Sequence, residues 1–264
     1  MKRRQFVKAA AVLPLAGPAV LAHNAGDESP RHPADENEVY ELRQYEIIFG
    51  RPQQELENYF KDALIPALNR HGAAHVGVFS ELGMSTPAKL FVLIAHPTFA
   101  SFYTVADKLA ADVQYQASSK AFESRSSREG IYSRYDTWVL RAFDGLKQML
   151  VPDTSRKRIF ELRTYEGHND DAVTRKTAMF NKEELDLFYT TKLHPVFFGK
   201  MIAGPAMPAL TYMLTFKDMA ERDANWDAFV DHPDWNTMRV KPEYSDSVSN
   251  IIRVFLKPTD YSQV

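Results

Sequence analysis

Residues 39–48 read Val-Tyr-Glu-Leu-Arg-Gln-Tyr-Glu-Ile-Ile, and this near-alternation of apolar and polar positions predicts a strand. From Pro52 to Arg70 the period changes. Leu56, Tyr59, Phe60, Leu64 and Leu68 recur at helical spacing, and Gly72 supplies the stop. Ala74–Phe79 and Leu90–Ile94 read as strands around the turn-rich 83–87 stretch. Thr98 to about Glu123 reads as helix with a break near Asp112, and Tyr132–Arg141 as a fourth strand. The order is β-α-β-β-α-β, the ferredoxin-like arrangement. The same order follows again. Ile159–Tyr165 is a strand, Thr174–Leu193 a helix broken around Phe180, and Phe198–Ile202 and Leu210–Phe216 the central strands. Asp218–Val230 and Asp234–Val240 are helices, and Val248–Leu256 closes the series.

The two runs share a literal repeat. Glu41-Leu42-Arg43-Gln44-Tyr45-Glu46 returns as Glu161-Leu162-Arg163-Thr164-Tyr165-Glu166, each behind an aromatic, Tyr40 or Phe160. The offset between the copies, 161 − 41 = 120 residues, is far longer than a solenoid period and reads as one domain written twice. The boundaries fall at 39–147 and 158–264, with a Pro152-containing linker at 148–157. A single ferredoxin-like sheet buries one face under its helices and leaves the other open. Two tandem copies cover one another. The expected fold is therefore α+β: two ferredoxin-like domains forming an intramolecular dimeric α/β barrel with helices outside.

The N-terminus changes the picture of where the chain works. Lys2, Arg3, Arg4 and Lys8 precede an apolar run to Ala22 that is too short to span a membrane. Residues 1–22 read as a signal peptide cut after Ala22, and Arg3-Arg4 followed by Gln-Phe-Val-Lys resembles a twin-arginine signal. An ordinary Sec signal is the alternative. Residues 23–38 are polar and read as a flexible leader. The expected location is periplasmic or secreted, with no membrane anchor after cleavage. The chain has no cysteine, which excludes disulfides, thiolate metal sites and a lipid-modified cysteine. Its formal charge is −2, more acidic once the basic signal is removed, and no Lys/Arg-rich stripe stands out. Nucleic acid is not an expected partner. A homo-oligomer is left open.

Several segments resemble the NIPSNAP family. Tyr40–Glu46 and Phe160–Glu166 look like the family's opening strand, and His71-Gly72 with Val76–Phe79 like the end of its first helix and its second strand. In the second copy, Leu210–Phe216, Met219–Arg222, Trp226 and His232-Pro233-Asp234-Trp235 look like its third strand and following helix. The resemblance implies the dimeric α/β-barrel superfamily, which hosts small monooxygenases, haem enzymes and modules without known catalysis. It transfers no mechanism and no cofactor. The first copy departs from the pattern at Asp112-Val113-Gln114-Tyr115, so the halves need not be equivalent.

Strand alternation nominates the site residues. Tyr40, Leu42 and Gln44 share one face; Glu41, Arg43 and Tyr45 share the other, as do Glu161, Arg163 and Tyr165. The Tyr/Phe-and-Leu face is expected on the helices, which would turn both Glu-Arg-Tyr sets into the barrel. There they would bind a carboxylate-like ligand, or simply neutralise one another. His71, His75 and His194 complete the candidate set. Gly72 separates the first two, so they do not form a helical metal pair, and no metal site is expected. Asp234 reads as a helix cap with Trp235 as an anchor, and Tyr132, Arg134, Asp136 and Trp138 as one face of the fourth strand. Two functions remain: a small-molecule binding protein or enzyme with a hollow, polar barrel, or an interaction module with a filled one.

Overall fold

The computed structural model describes residues 36–83 and 85–264. The segment read as a signal peptide, and the one read as a leader up to residue 35, lie outside the described residues. The first half contains β1 (Val39–Ile47), α1 (Gln53–Tyr59), a π-helical turn (Phe60–Leu64), α2 (Ile65–Arg70), β2 (Val76–Glu81), β3 (Lys89–His96), α3 (Phe99–Ala111), α4 (Val113–Glu123) and β4 (Tyr132–Ala142). The second contains β5 (Ile159–Glu166), α5 (Asp170–Met179), a π-helical turn (Phe180–Glu184), α6 (Leu185–Thr190), β6 (Pro195–Ala203), β7 (Ala209–Phe216), α7 (Met219–Asp231), α8 (Pro233–Met238) and β8 (Asn250–Pro258). The β-α-β-β-α-β order thus occurs twice. The π-turns fall at corresponding places, Phe60 and Phe180.

Local chemistry sets the helix ends. Thr98 and Ser101 form a reciprocal capping box at α3, and Asp218 caps α7 through the Glu221 amide. Asn169 caps α5 through the Ala172 amide, so that helix starts earlier than its apolar period suggests. The break between α3 and α4 sits at Asp112, whose carboxylate accepts from the Tyr115 amide. At the corresponding break the cap is His232, not Asp234. Its Nδ1 accepts from the Asp234 amide, because Pro233 takes the first helical position and pushes Asp234 inside.

All eight strands pair antiparallel in one closed barrel, in the order β1-β3-β2-β8-β5-β7-β6-β4. Two seams join the halves. One pairs Phe79–Glu81 of β2 with Leu256–Pro258 of β8, and the other pairs β4 with β6.

The strand faces are the reverse of those expected. Tyr40, Leu42, Phe160 and Leu162 point into the barrel, where they pack with Phe79, Phe91, Leu93, Phe197 and Met213. Rings from opposite halves touch there, Tyr40 with Phe197 at 4.8 Å and Phe79 with Phe160 at 4.9 Å. Glu41, Arg43, Tyr45 and Glu161, Arg163, Tyr165 point outward under the helices. The reason is partner supply. Apolar side chains fill this eight-stranded lumen, so a charge inside would find neither water nor a helix donor. The apolar face takes the lumen, and the barrel is filled.

The fourth strand also departs from strict alternation. A bulge between the Tyr45/Tyr135 and Ile47/Tyr132 pairs puts Tyr132 and Tyr135 on the helix side, while Trp138 packs with the lumen cluster. Among the described residues, no helix is long and apolar enough to cross a membrane.

Candidate functional site

The repeated Glu-x-Arg-x-Tyr motif builds two sites at the sheet–helix interface, one per half. In the first, Glu41 is buried and accepts from Arg43 Nε at 2.6 Å and from His96 Nε2, on β3, at 3.0 Å. Burial by itself would raise the Glu41 carboxyl; the His96 hydrogen bond and the Arg43 charge outweigh it and hold it at about 2. Burial disfavours the Arg43 cation, but Glu41 beside it keeps it charged.

Tyrosines surround that guanidinium. It lies 5.6 Å from the centre of the Tyr135 ring, which stacks on Tyr45 at 4.7 Å. Tyr132 meets Tyr45 edge-on at 5.0 Å. Tyr59 and Tyr115 share a hydroxyl hydrogen bond of 2.7 Å, and Tyr59 stacks on Phe122 at 4.3 Å. Burial pushes the Tyr45 phenol up to about 12 against the pull of Arg43, so it remains a neutral hydroxyl at physiological pH. Beyond Glu41, Arg43 donates to the Tyr45 hydroxyl and has the hydroxyls of Tyr115 and Tyr132 nearby. A guanidinium carries five N–H donors, and this one has donors to spare. The Arg43 side chain keeps 15% of its surface exposed. A groove of about 480 Å³ runs past Phe122 and Tyr132, with Arg125 and Arg134 in its wall.

In the second half the same frame is sealed. Arg163 gives Nη1 to Glu161 at 2.9 Å and Nη2 to the Tyr165 hydroxyl at 3.1 Å, and it lies 4.2 Å from the centre of the Trp226 ring. Glu161, fully buried, takes a bidentate pair from Arg222 at 2.9 Å and the Trp226 indole N–H at 2.8 Å. Burial raises its carboxyl, and the Arg222 and Arg163 contacts more than reverse that. The Tyr212 hydroxyl donates to Tyr165 at 2.8 Å. Beside this network Lys176 donates to Glu184 at 2.6 Å and lies 4.5 Å from the Phe180 ring centre.

The contrast has a residue-level cause. Arg43 pairs across the ladder with Val92, and Arg163 with Tyr212. Ala106 and Phe102 stand where the second half has Trp226 and Arg222; Leu56 and Leu64 stand for Lys176 and Glu184. The first half therefore lacks the indole that covers Arg163.

The three histidines join neither site. His71 Nε2 lies 3.0 Å from Asp112, which also takes Arg70. The Tyr115 amide, then Arg70 and His71, hold that carboxyl at about 2, and together they tie α2 to the α3–α4 break. His75 is exposed ahead of β2. His194 is exposed with φ 37° and borders a cleft elsewhere on the molecule. Sequence reasoning missed His96, Tyr59, Tyr115 and Tyr135 in the first site, and Lys176, Glu184, Tyr212, Arg222 and Trp226 in the second. Aligning the halves position by position exposes one signal: Lys176 and Glu184 occupy places where the first half has core leucines. Among the described residues no group of three or more His, Asp or Glu is placed to hold a metal ion.

A NIPSNAP family model matches residues 160–263, the second half. The fold is similar to that of two solved proteins assigned as monooxygenases. One, from Lactobacillus acidophilus, is 11% identical, with a TM-score of 0.52 over 84% of this chain and 94% of that one. The other, from Fusobacterium nucleatum, is 6% identical, with a TM-score of 0.54 over 84% and 93%. A NIPSNAP family protein of unknown function from Agrobacterium tumefaciens is 16% identical over 43% of this chain and 97% of its own, with a TM-score of 0.37. At these identities the likeness is one of fold. No curated protein matches the chain.

Proposed function

We propose that this is a NIPSNAP-like protein that binds a small aromatic anion above Arg43, in the sheet–helix layer of its first half. The barrel lumen is full and takes no part. One observation carries the reading: Arg43 keeps an exposed edge with no indole over it, whereas Trp226 covers Arg163. An arginine offers a planar fork to a carboxylate, and the rings of Tyr135, Tyr45 and Tyr132 offer faces and edges to an aromatic body. The buried Glu41–His96 pair behind the arginine holds its Nε side in place, and the donors that Tyr45 does not take face the ligand. On the signal read in residues 1–22, this binding takes place outside the cytoplasmic membrane.

The test is calorimetric titration with 4-hydroxybenzoate and benzoate, with acetate as the non-aromatic control. Arg43→Gln keeps a donor for Glu41 but loses the cation. It should fold but melt below wild type, because Glu41 loses the charge of one of its two partners, and under conditions where it is fully folded it should bind at least about tenfold more weakly, 1.4 kcal/mol. A surface change such as Lys61→Gln should leave binding intact. Equal binding by wild type and Arg43→Gln would remove the reading. The filled barrel would then favour an interaction module that works through its outer surface.

A further inference from the structure

The linker carries three successive cations, Arg156, Lys157 and Arg158, and the fold places a cavity on each side of them. The larger, about 540 Å³, is bordered by His194, by Phe216 at the end of β7 and by Lys217. The other, about 490 Å³, adds Lys257 of β8. Either volume suits a small molecule. Against five cations, Arg156, Lys157, Arg158, Lys217 and Lys257, the two linings set three acids, Asp153, Glu221 and Asp260. Asp153 pairs with Arg156 at 2.9 Å, and Glu221 accepts from the backbone amide of Lys217. The side chains of Lys157, Lys217 and Lys257 have no hydrogen bond or ion pair among the described residues. A chain of net negative formal charge thus concentrates unpaired cations along 156–158 and the two cavities beside it, Lys157 and Lys217 at the larger.

Arg158 sits differently from the lysines. Its Nη1 donates to the Thr154 carbonyl at 3.0 Å, and its Nη2 to the Val264 carbonyl at 2.8 Å. Its Nε is buried without a partner. Packing against the Phe160 ring, 5.8 Å away, helps fix it. The combination is one positioned guanidinium, flexible ammonium groups at the rim and an apolar wall from Phe216 and Pro152. Lysines act as point charges for phosphate-like groups, and the wall accepts a short carbon skeleton.

We infer that the linker cleft, through Lys157, Arg158 and Lys217, binds a small organic anion bearing two or more negative charges. It shares no residue with the Arg43 site and does not depend on that reading. A phosphate ester and a polycarboxylate offer the same chemistry, so the test carries both.

The experiment titrates the full chain with pyrophosphate and, separately, with citrate, at matched ionic strength, by calorimetry and thermal melting. Acetate and chloride are the monovalent controls. Saturable one-to-one binding of at least one multivalent anion, with a rise in Tm, is expected. Lys157→Glu with Lys217→Glu should weaken it at least about tenfold, two exposed changes that leave the core alone. Lys108→Glu, on α3 of the other half, is the charge control and should bind as wild type. A stronger response to pyrophosphate assigns a phosphate; a stronger response to citrate assigns a carboxylate. The inference is overturned if neither anion binds, or if Lys108→Glu weakens binding as much as the double change. Binding to phosphatidylglycerol vesicles without binding to either soluble anion also overturns it, in favour of a membrane surface.

Discussion

Lys176 and Glu184 place a charged pair where the first half has Leu56 and Leu64, and that substitution can be undone. Their side chains are 5% and 2% exposed, with a 2.6 Å contact between them. Around the ammonium stand Met179, Phe180 and Trp235, and among the described residues no second carboxylate hydrogen-bonds it. Burial pushes the Glu184 carboxyl up against the pull of Lys176, so the pair gains little over an apolar one. Breaking it is another matter. Glu184→Leu leaves an ammonium in an apolar pocket, and such losses cost about 3–5 kcal/mol. At roughly 2–4 °C per kcal/mol for a domain of this size, Tm should fall by about 6–20 °C. Adding Lys176→Leu recreates the arrangement of the first half, where Leu56 is 0% and Leu64 1% exposed. The double variant should return to within about 1 kcal/mol of wild type, or exceed it. Urea unfolding followed by circular dichroism gives the free energies. Tryptophan fluorescence gives a local reading, since the Trp235 ring centre is 5.6 Å from the ammonium. The reasoning fails if Glu184→Leu melts within about 2 °C of wild type, or if the double variant is no better than the single one.

Two further outcomes follow from the fold. Glu41 titrates at about 2 when folded and near 4.5 when unfolded, so the unfolded chain binds more protons between those values. Its stabilisation is complete above about 4.5 and is lost as pH falls towards 2; Glu41→Gln should cost on the order of 2–3 kcal/mol at pH 7, with the deficit vanishing near pH 2. A deficit that stays constant from neutral to acid pH in urea titrations would refute this. A fragment of residues 36–147 bares Tyr40, Leu42, Phe91 and Leu93 and frees the paired edges of β2 and β4, so it should dimerise or aggregate. A monodisperse, cooperatively melting monomer in ultracentrifugation would contradict the shared lumen.

Much of the architecture was legible because period and punctuation agree. The alternation of β1 and β5, the Asp112 break and the interruption at Phe180 all appear in the structure near their predicted places. The inward face was not legible. Both faces of these strands are buried, so alternation separates them without saying which is inside. The choice depends on donors brought from far along the chain: His96 to Glu41, and Arg222 and Trp226 to Glu161. For the same reason the Glu-Arg-Tyr motif was visible as chemistry but not as a place. The His232 cap escaped notice because Asp is the commoner capping residue; Pro233 decides against it.

The seam between β2 and β8 joins residues near positions 80 and 257, and Ser262 and Gln263 reach back to the amides of Val78 and Val76. During synthesis, β2 leaves the ribosome long before its second neighbour exists. At roughly 5–20 residues per second, the gap lasts on the order of ten to thirty seconds. Throughout that interval the strand has one bare edge, and the apolar lumen residues beside it lack their lid. Nascent chains should therefore depend on holding factors more than the finished protein does, and a change that slows elongation through residues 159–256 should lower the soluble yield without altering the stability of the molecules that finish.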